Sequence, residues 1–304
     1  MKKCITNALS LRWLRGRTFV IGIPYVWLMV FALVPFFIVL KLSMAEMEVG
    51  NPFGTLLSAE DGVVLLKIKV SNYLFILQDK LYVLTYLSSI KYAAITTVCC
   101  LFIGYPFAYF MAREKTAIRT ILMMLVMLPF WTSFLLRIYA WKGILATNGV
   151  LNQLLLGAGI IDAPLHMMNT PFSLMIGMVY TYLPFMILPL YTNLSKMDVR
   201  FIEAAADLGS TPWQTFWRVT VPLSKSGIIA GAMLVFIPCV GEYVIPELLG
   251  GPETLMIGHV LWDEFFTNND WPMASAVTVV VILLILVPIG IFNKHQSEQR
   301  VGQA

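Results

Sequence analysis

The sequence predicts an all-α protein that crosses a membrane six times, and three observations predict it. Of its 304 residues, 59% are hydrophobic and only 12% are charged, where a soluble domain carries about 25% charge. The apolar residues fall in blocks of about 20, the length of helix that crosses a ~30 Å hydrocarbon core. The basic residues collect in alternate connections, as orientation by positive charge requires.

The six blocks are Phe19–Leu42, Ile90–Ala112, Ile118–Tyr139, Phe172–Leu194, Gly227–Ile245 and Met273–Phe292. The first has an apolar run of roughly 22 residues, longer than the 7–15 of a signal core, and no small-x-small pattern follows it. It is read as a retained helix behind a cytoplasmic segment, 1–18. The stretch 43–89 is expected outside the cytoplasm. Asn51-Pro52 and Asp61-Gly62 mark turns there, and Val63–Val70, rich in β-branched residues, predicts a short strand. Ile118–Tyr139 is expected as one helix, and Val150–Leu156 as a short interfacial one. A core is expected over 90–292, a cytoplasmic loop over 195–226 and a cytoplasmic tail over 293–304.

Six spans place both termini and the second and fourth connections on one side. That side holds fourteen of the 21 Lys and Arg, among them Arg12, Arg15, Arg17, Arg113, Arg119, Lys196 and Arg218. It is therefore assigned to the cytoplasm. The loop from Glu247 to Pro272 has no Lys or Arg and is assigned outside.

Several functions are disfavoured. A net charge of +4, without a basic run that could track phosphates, gives no footprint for nucleic acid. Cys4, Cys99, Cys100 and Cys239 lack C-x-x-C spacing and read as free thiols. His166, His259 and His295 are too scattered to ligate a metal. There is no G-x-x-x-x-G-K-[ST] phosphate loop and no nucleophile–base set, so no enzyme activity and no cofactor is expected.

The loop between the fourth and fifth spans differs from the rest. Ile202–Leu208 reads as a short helix with acids near its start, which suits the helix dipole. Gly209 can end it in a left-handed conformation. Ser210 or Thr211 can cap a second helix with Pro212 at its first position. Trp213, Phe216 and Trp217 then form a stripe at helical spacing, and Val221-Pro222 returns the chain to the membrane. A helix–turn–helix bracket results.

Glu203-Ala204-Ala205, Gly209, Val219, Val221 and Pro222 reproduce the Glu-Ala-Ala, Gly, aliphatic-x-aliphatic-Pro spacing of one family. The loop resembles that of permease subunits in binding-protein-dependent ABC importers, with Val where Ile and Leu are usual. The resemblance implies a type I ABC importer permease fold. It also implies that the loop docks in a groove on a separate ATPase, so that Glu203, Ala204, Ala205 and Gly209 carry the coupling. Expected partners are an ATPase homodimer that binds the ATP, a second related permease, a periplasmic binding protein and membrane lipid, in a bacterial inner membrane.

Ile103–Ala108, Leu128–Ser133, Arg137–Tyr139, Leu183–Met186 and Gly241–Pro252 are similar to polyamine permeases, the putrescine type foremost. Spermidine is the alternative cargo, and other small solutes follow. An ion-coupled secondary transporter is the rival of another class; it predicts inverted repeats, and none is visible. Polyamines need carboxylates and aromatic faces along their path, an ammonium over a ring gaining about 0.5–2 kcal/mol. Glu242 lies within the fifth span, where a charge is expensive and marks a pathway. It is the first candidate pathway contact, with Arg137 or water as its structural alternative. Tyr243, Trp131, Tyr139 and Tyr180 are candidate walls, or interfacial aromatics. The acids Glu247, Glu253, Asp263, Glu264 and Asp270 read as solvated charge, or as a lure for cations or a docking surface for the binding protein.

Overall fold

The structure, a computed structural model, describes the backbone of residues 2–45, 57–60, 63–66 and 69–301, and the side chains of 19–45 and 69–290. The chain forms two compact units, Met1–Phe75 with Glu264–Val280, and Ile76–Asp263 with Val281–Ala304.

The first unit opens with α1 (Lys2–Ser43), which contains Pro24 and Pro35 and remains one helix. Its apolar side chains from Phe19 to Ile38 are largely exposed. The end of α1 is stitched to the start of α2 (Ser71–Gln78). The Ser43 and Tyr73 hydroxyls lie 2.6 Å apart, and Asn72 donates to the carbonyls of Ser43 and Ala45. Between them, β1 (Leu57–Glu60) pairs antiparallel with β2 (Val63–Leu66), Leu57 opposite Leu66. The strand expected over Val63–Val70 is thus present in its first half, with a partner the sequence reading did not foresee. The turn residues Asn51, Pro52, Asp61 and Gly62 lie outside the described residues.

The second unit is built on three long helices, α3 (Lys80–Arg113), α7 (Pro171–Leu194) and α11 (Lys225–Val240). Glycines let them approach, as small residues do where helices meet in a membrane. A Cβ on Gly104 would touch Met186 and Ile187, and one on Gly231 would stand 2.7 Å from the Met186 sulfur. Met186, Leu190, Cys100, Val235 and Cys239 are buried in this seam. The remaining helices of this unit are α4 (Thr116–Met127), α5 (Phe134–Leu145), α6 (Val150–Gly157), α8 (Arg200–Asp207), α9 (Pro212–Thr215), α10 (Val221–Leu223), α12 (Val244–Leu249) and α13 (Ile257–Trp262). The last helix of the chain, α14 (Trp271–Val301), is capped by Asp270, whose carboxylate accepts from Met273 N at 2.9 Å. The short helix expected over Val150–Leu156 is present as α6. Its fully buried Asn152 donates to three backbone carbonyls and accepts from Leu165 N.

Four helices are long and apolar enough to cross a bilayer, and the number is six where each of two bent pairs counts as one span, among the described residues. The third span, expected as one helix, is broken. A 3₁₀ turn over Leu128–Trp131 holds Pro129, Thr132 and Ser133 are extended, and the chain leaves at 91°. The fifth span stops at Val240 rather than Ile245, with Gly241 as its C-cap. It is entered from Pro212–Leu223 through a 66° bend.

Candidate functional site

The connection between α7 and α11 folds as the bracket that its residue types dictate. Helix α8 begins at Arg200, two residues earlier than expected, because Asp198 accepts from the Arg200 backbone N–H at 3.0 Å. At its other end Gly209 takes φ +79°. Gly209 N donates to Ala206 O and Ser210 N to Ala205 O, the paired closure of a Schellman C-cap. Thr211 then caps α9: its hydroxyl accepts from Gln214 N, and the Gln214 side chain accepts from Thr211 N. Pro212 holds the first helical position, where its missing N–H costs nothing.

Glu203, in the first turn of α8, and Ala204 are exposed, as is Gly209, while Ala205 is half-buried. Among the described residues, no heavy atom other than those of Gly209 and its chain neighbours lies within 4 Å of the Cβ position at Gly209. Phe201, Leu208, Trp213 and Trp217 are also exposed, Leu208 at 89%. This large apolar surface on a short, charged connection has the makings of a protein contact. Beneath it the chain makes a turn that was not expected. Phe216–Thr220 is a single π-helical turn, followed by Pro222, which has no N–H to return to the preceding turn.

At the opposite end of α11, Glu242 stands half-buried just past Gly241. One carboxylate oxygen accepts from Val244 N at 3.1 Å and Ile245 N at 3.4 Å, capping α12. The other accepts a hydrogen bond from the Tyr182 hydroxyl. Three donors from two helices thus converge on one carboxylate and fix its orientation. Arg137, the structural alternative, is not its partner. That guanidinium lies over Phe130 and Phe134, 5.7 and 5.8 Å from the ring centres. Tyr182 was missed by sequence reasoning because nothing local connects it to a residue 60 positions on.

Tyr243 is beside Glu242 and stacks on Trp262 at 4.5 Å. His259 lies between two carboxylates, Nε2 2.6 Å from Glu247 and Nδ1 3.0 Å from Asp263. Both acids thus touch the imidazole while their side chains stay exposed. Glu247 and His259 also line a cavity of about 330 Å³ with Asn169, Thr254 and Leu255. The other expected wall residues stand apart. Trp131 is 90% exposed and Tyr139 is also exposed. Tyr180 packs edge-on to Trp141 at 5.5 Å and faces an apolar cavity beside Pro129.

Broken apolar spans around a three-helix seam, with a bracket at one end of α11 and a framed carboxylate at the other, describe a membrane transport component. The chain belongs to the family described as binding-protein-dependent transport system inner membrane components, which matches residues 101–298. It is 40% identical over 271 residues to the spermidine/putrescine transport system permease protein PotB of Haemophilus influenzae, covering 88% of this chain and 91% of that one. The Escherichia coli K12 protein of the same name is 39% identical over 265 residues, 86% of this chain and 92% of its own. Among solved structures, a chain of a bacterial alginate ABC transporter, in complex with an alginate pentasaccharide-bound periplasmic protein, superposes with a TM-score of 0.65. That match covers 96% of both chains at 17% identity and shows the shared fold.

Proposed function

We propose that this chain is the transmembrane permease subunit of an ATP-driven importer and forms half of the path by which spermidine and putrescine enter the cell. The observation that carries the coupling part is the bracket. Gly209 turns an exposed apolar edge outward from a doubly capped loop, in a chain without a phosphate loop of its own. ATP is bound and hydrolysed by a separate ATPase homodimer, which receives Glu203, Ala204, Ala205 and Gly209. The chain itself is no enzyme. A second, related permease supplies the other half of the path, and a periplasmic polyamine-binding protein delivers the cargo. The protein lies in the bacterial inner membrane with 1–18, 195–226 and 293–304 in the cytoplasm and 43–89 outside.

The polyamine cargo is supported by the names of the PotB relatives and by Glu242. That carboxylate keeps an accessible face while three donors fix its position, so an ammonium meets a preorganised charge. Tyr243 beside it offers a π-face. Trp131, Tyr139 and Tyr180 are proposed as wall residues completed by the second permease.

The test is uptake into vesicles holding the full complex, with its binding protein outside and ATP inside. Spermidine and putrescine should accumulate and compete with each other, and an anion such as glutamate should do neither. Accumulation without ATP, or of the anion, would sink the reading.

A further inference from the structure

We infer that Tyr105, Ser224 and Phe216 are the positioning residues that pass the bracket's movement into the transmembrane core. This rests on the coupling role proposed above and names the path by which the stroke leaves the loop.

Ser224 is the pivot of the 66° bend between the bracket's second arm and α11. Its N–H donates back to Thr220 O and its C=O accepts from Ile228 N, both at 3.0 Å, so it belongs to both helices at once. Its φ of −90° and ψ of 4° lie in the sparsely allowed bridge region. A bend held only by its own backbone would flex under load. Here the side chain is tied elsewhere. The Ser224 hydroxyl donates to Val221 O at 3.0 Å. A hydroxyl has one proton, so the 2.7 Å contact with the Tyr105 hydroxyl has tyrosine as donor. Both residues are buried, so water does not compete for this bond. Tyr105 stands within α3, beside Pro106.

A second tie lies earlier in the same arm. Phe216, at the start of the π-helical turn, meets Tyr105 and Tyr109 edge-on, at 5.5 and 6.2 Å. It also stacks on Trp213 at 6.1 Å, and Trp213 belongs to the exposed apolar edge. A push on that edge is therefore delivered through Phe216 to α3. Through Ser224 and Tyr105 the same push holds the bend rigid, so α3 and α11 move as one body. A π-helical turn often marks such a functional point.

The experiment uses the full complex carrying Tyr105→Phe, Ser224→Ala, the double variant, or Phe216→Leu. It measures the ATPase that co-purifies and the polyamine taken up per ATP hydrolysed. Tyr105→Phe keeps the ring against Phe216 and removes only the hydroxyl. Each single hydroxyl variant should retain the ATPase yet lower uptake per ATP about five-fold, the scale of one net buried hydrogen bond. The double variant should be no worse than Ser224→Ala, because Tyr105→Phe removes only a bond that Ser224→Ala has already removed. Phe216→Leu should also lower the ratio. An unchanged ratio in Tyr105→Phe, additive losses in the double variant, or loss of the ATPase from these complexes would overturn the inference. Wild-type uptake independent of ATP would instead overturn the coupling reading on which it rests.

Discussion

The capping role of Glu242 and the cation contact proposed for it can be separated by substitution. As a cap it accepts from Val244 N and Ile245 N, and in the function proposed above its charge also meets a cation beside Tyr243. The amide introduced by Glu242→Gln would keep a carbonyl oxygen for the cap, and its NH₂ group could still meet the Tyr182 hydroxyl. The charge would be lost, and the bond to Tyr182 would reverse, the amide donating to the hydroxyl oxygen. We expect Glu242→Gln to assemble normally and to lower polyamine uptake at least about ten-fold, since a charge-assisted contact is worth about 1.5–3 kcal/mol. Glu242→Ala should lose uptake and also the cap, costing about 1 kcal/mol of stability, seen as a lower melting temperature of the purified complex. Wild-type uptake kinetics in the glutamine variant would leave Glu242 as a cap alone. Tyr182 belongs to the same unit, because its hydroxyl fixes the carboxylate from α7.

The bracket is an element whose halves are set by opposite caps. Gly209 at φ +79° ends α8, and the Thr211–Gln214 pair begins α9. The left-handed conformation costs an ordinary L-residue about 1–2 kcal/mol, and Asn less. Because a Cβ at this position meets nothing among the described residues, a larger penalty must come from another molecule. Gly209→Asn should therefore insert in the membrane and keep part of its transport. Gly209→Asp should insert equally well and lose both transport and co-purifying ATPase, its carboxylate standing in the apolar contact among Leu208 and Trp213. Membrane yield, pull-down of the ATPase and uptake measured on the two variants decide this. Full uptake by Gly209→Asp would remove the contact. The broken spans follow a different logic. Pro106, Pro184 and Pro189 lie inside continuous helices, whereas Pro129 opens a 3₁₀ turn followed by two extended residues. Whether a proline kinks or breaks a helix depends on what satisfies the freed carbonyls.

For the whole molecule, this divides what the sequence makes legible from what it does not. Features decided by a few adjacent residues are legible: the apolar blocks, the turn at Gly209, the cap at Thr211 and the proline after it. Features decided by distant pairs are not. Glu242 with Tyr182 and Tyr105 with Ser224 each join segments whose pairing no local pattern records; β1 opposite β2 is closer to the legible kind, since only Asp61-Gly62 separates Glu60 from Val63. Orientation has the opposite character, since it is summed over the whole chain. Fourteen of the 21 Lys and Arg are expected on one side, and each costs about 2.5–3.5 kcal/mol to carry into a helix centre. That sum should place Leu208 in the cytoplasm and Glu253, in the acidic loop after α11, outside. Both are exposed, so each accepts a cysteine in a chain whose own four are replaced. In right-side-out vesicles an impermeant maleimide should label Glu253→Cys at once, and Leu208→Cys only after the membrane is opened. Labelling of Leu208→Cys in sealed vesicles would put the bracket on the face where no ATP is available, and no arrangement of Tyr105, Phe216 and Ser224 could then transmit a nucleotide-driven stroke.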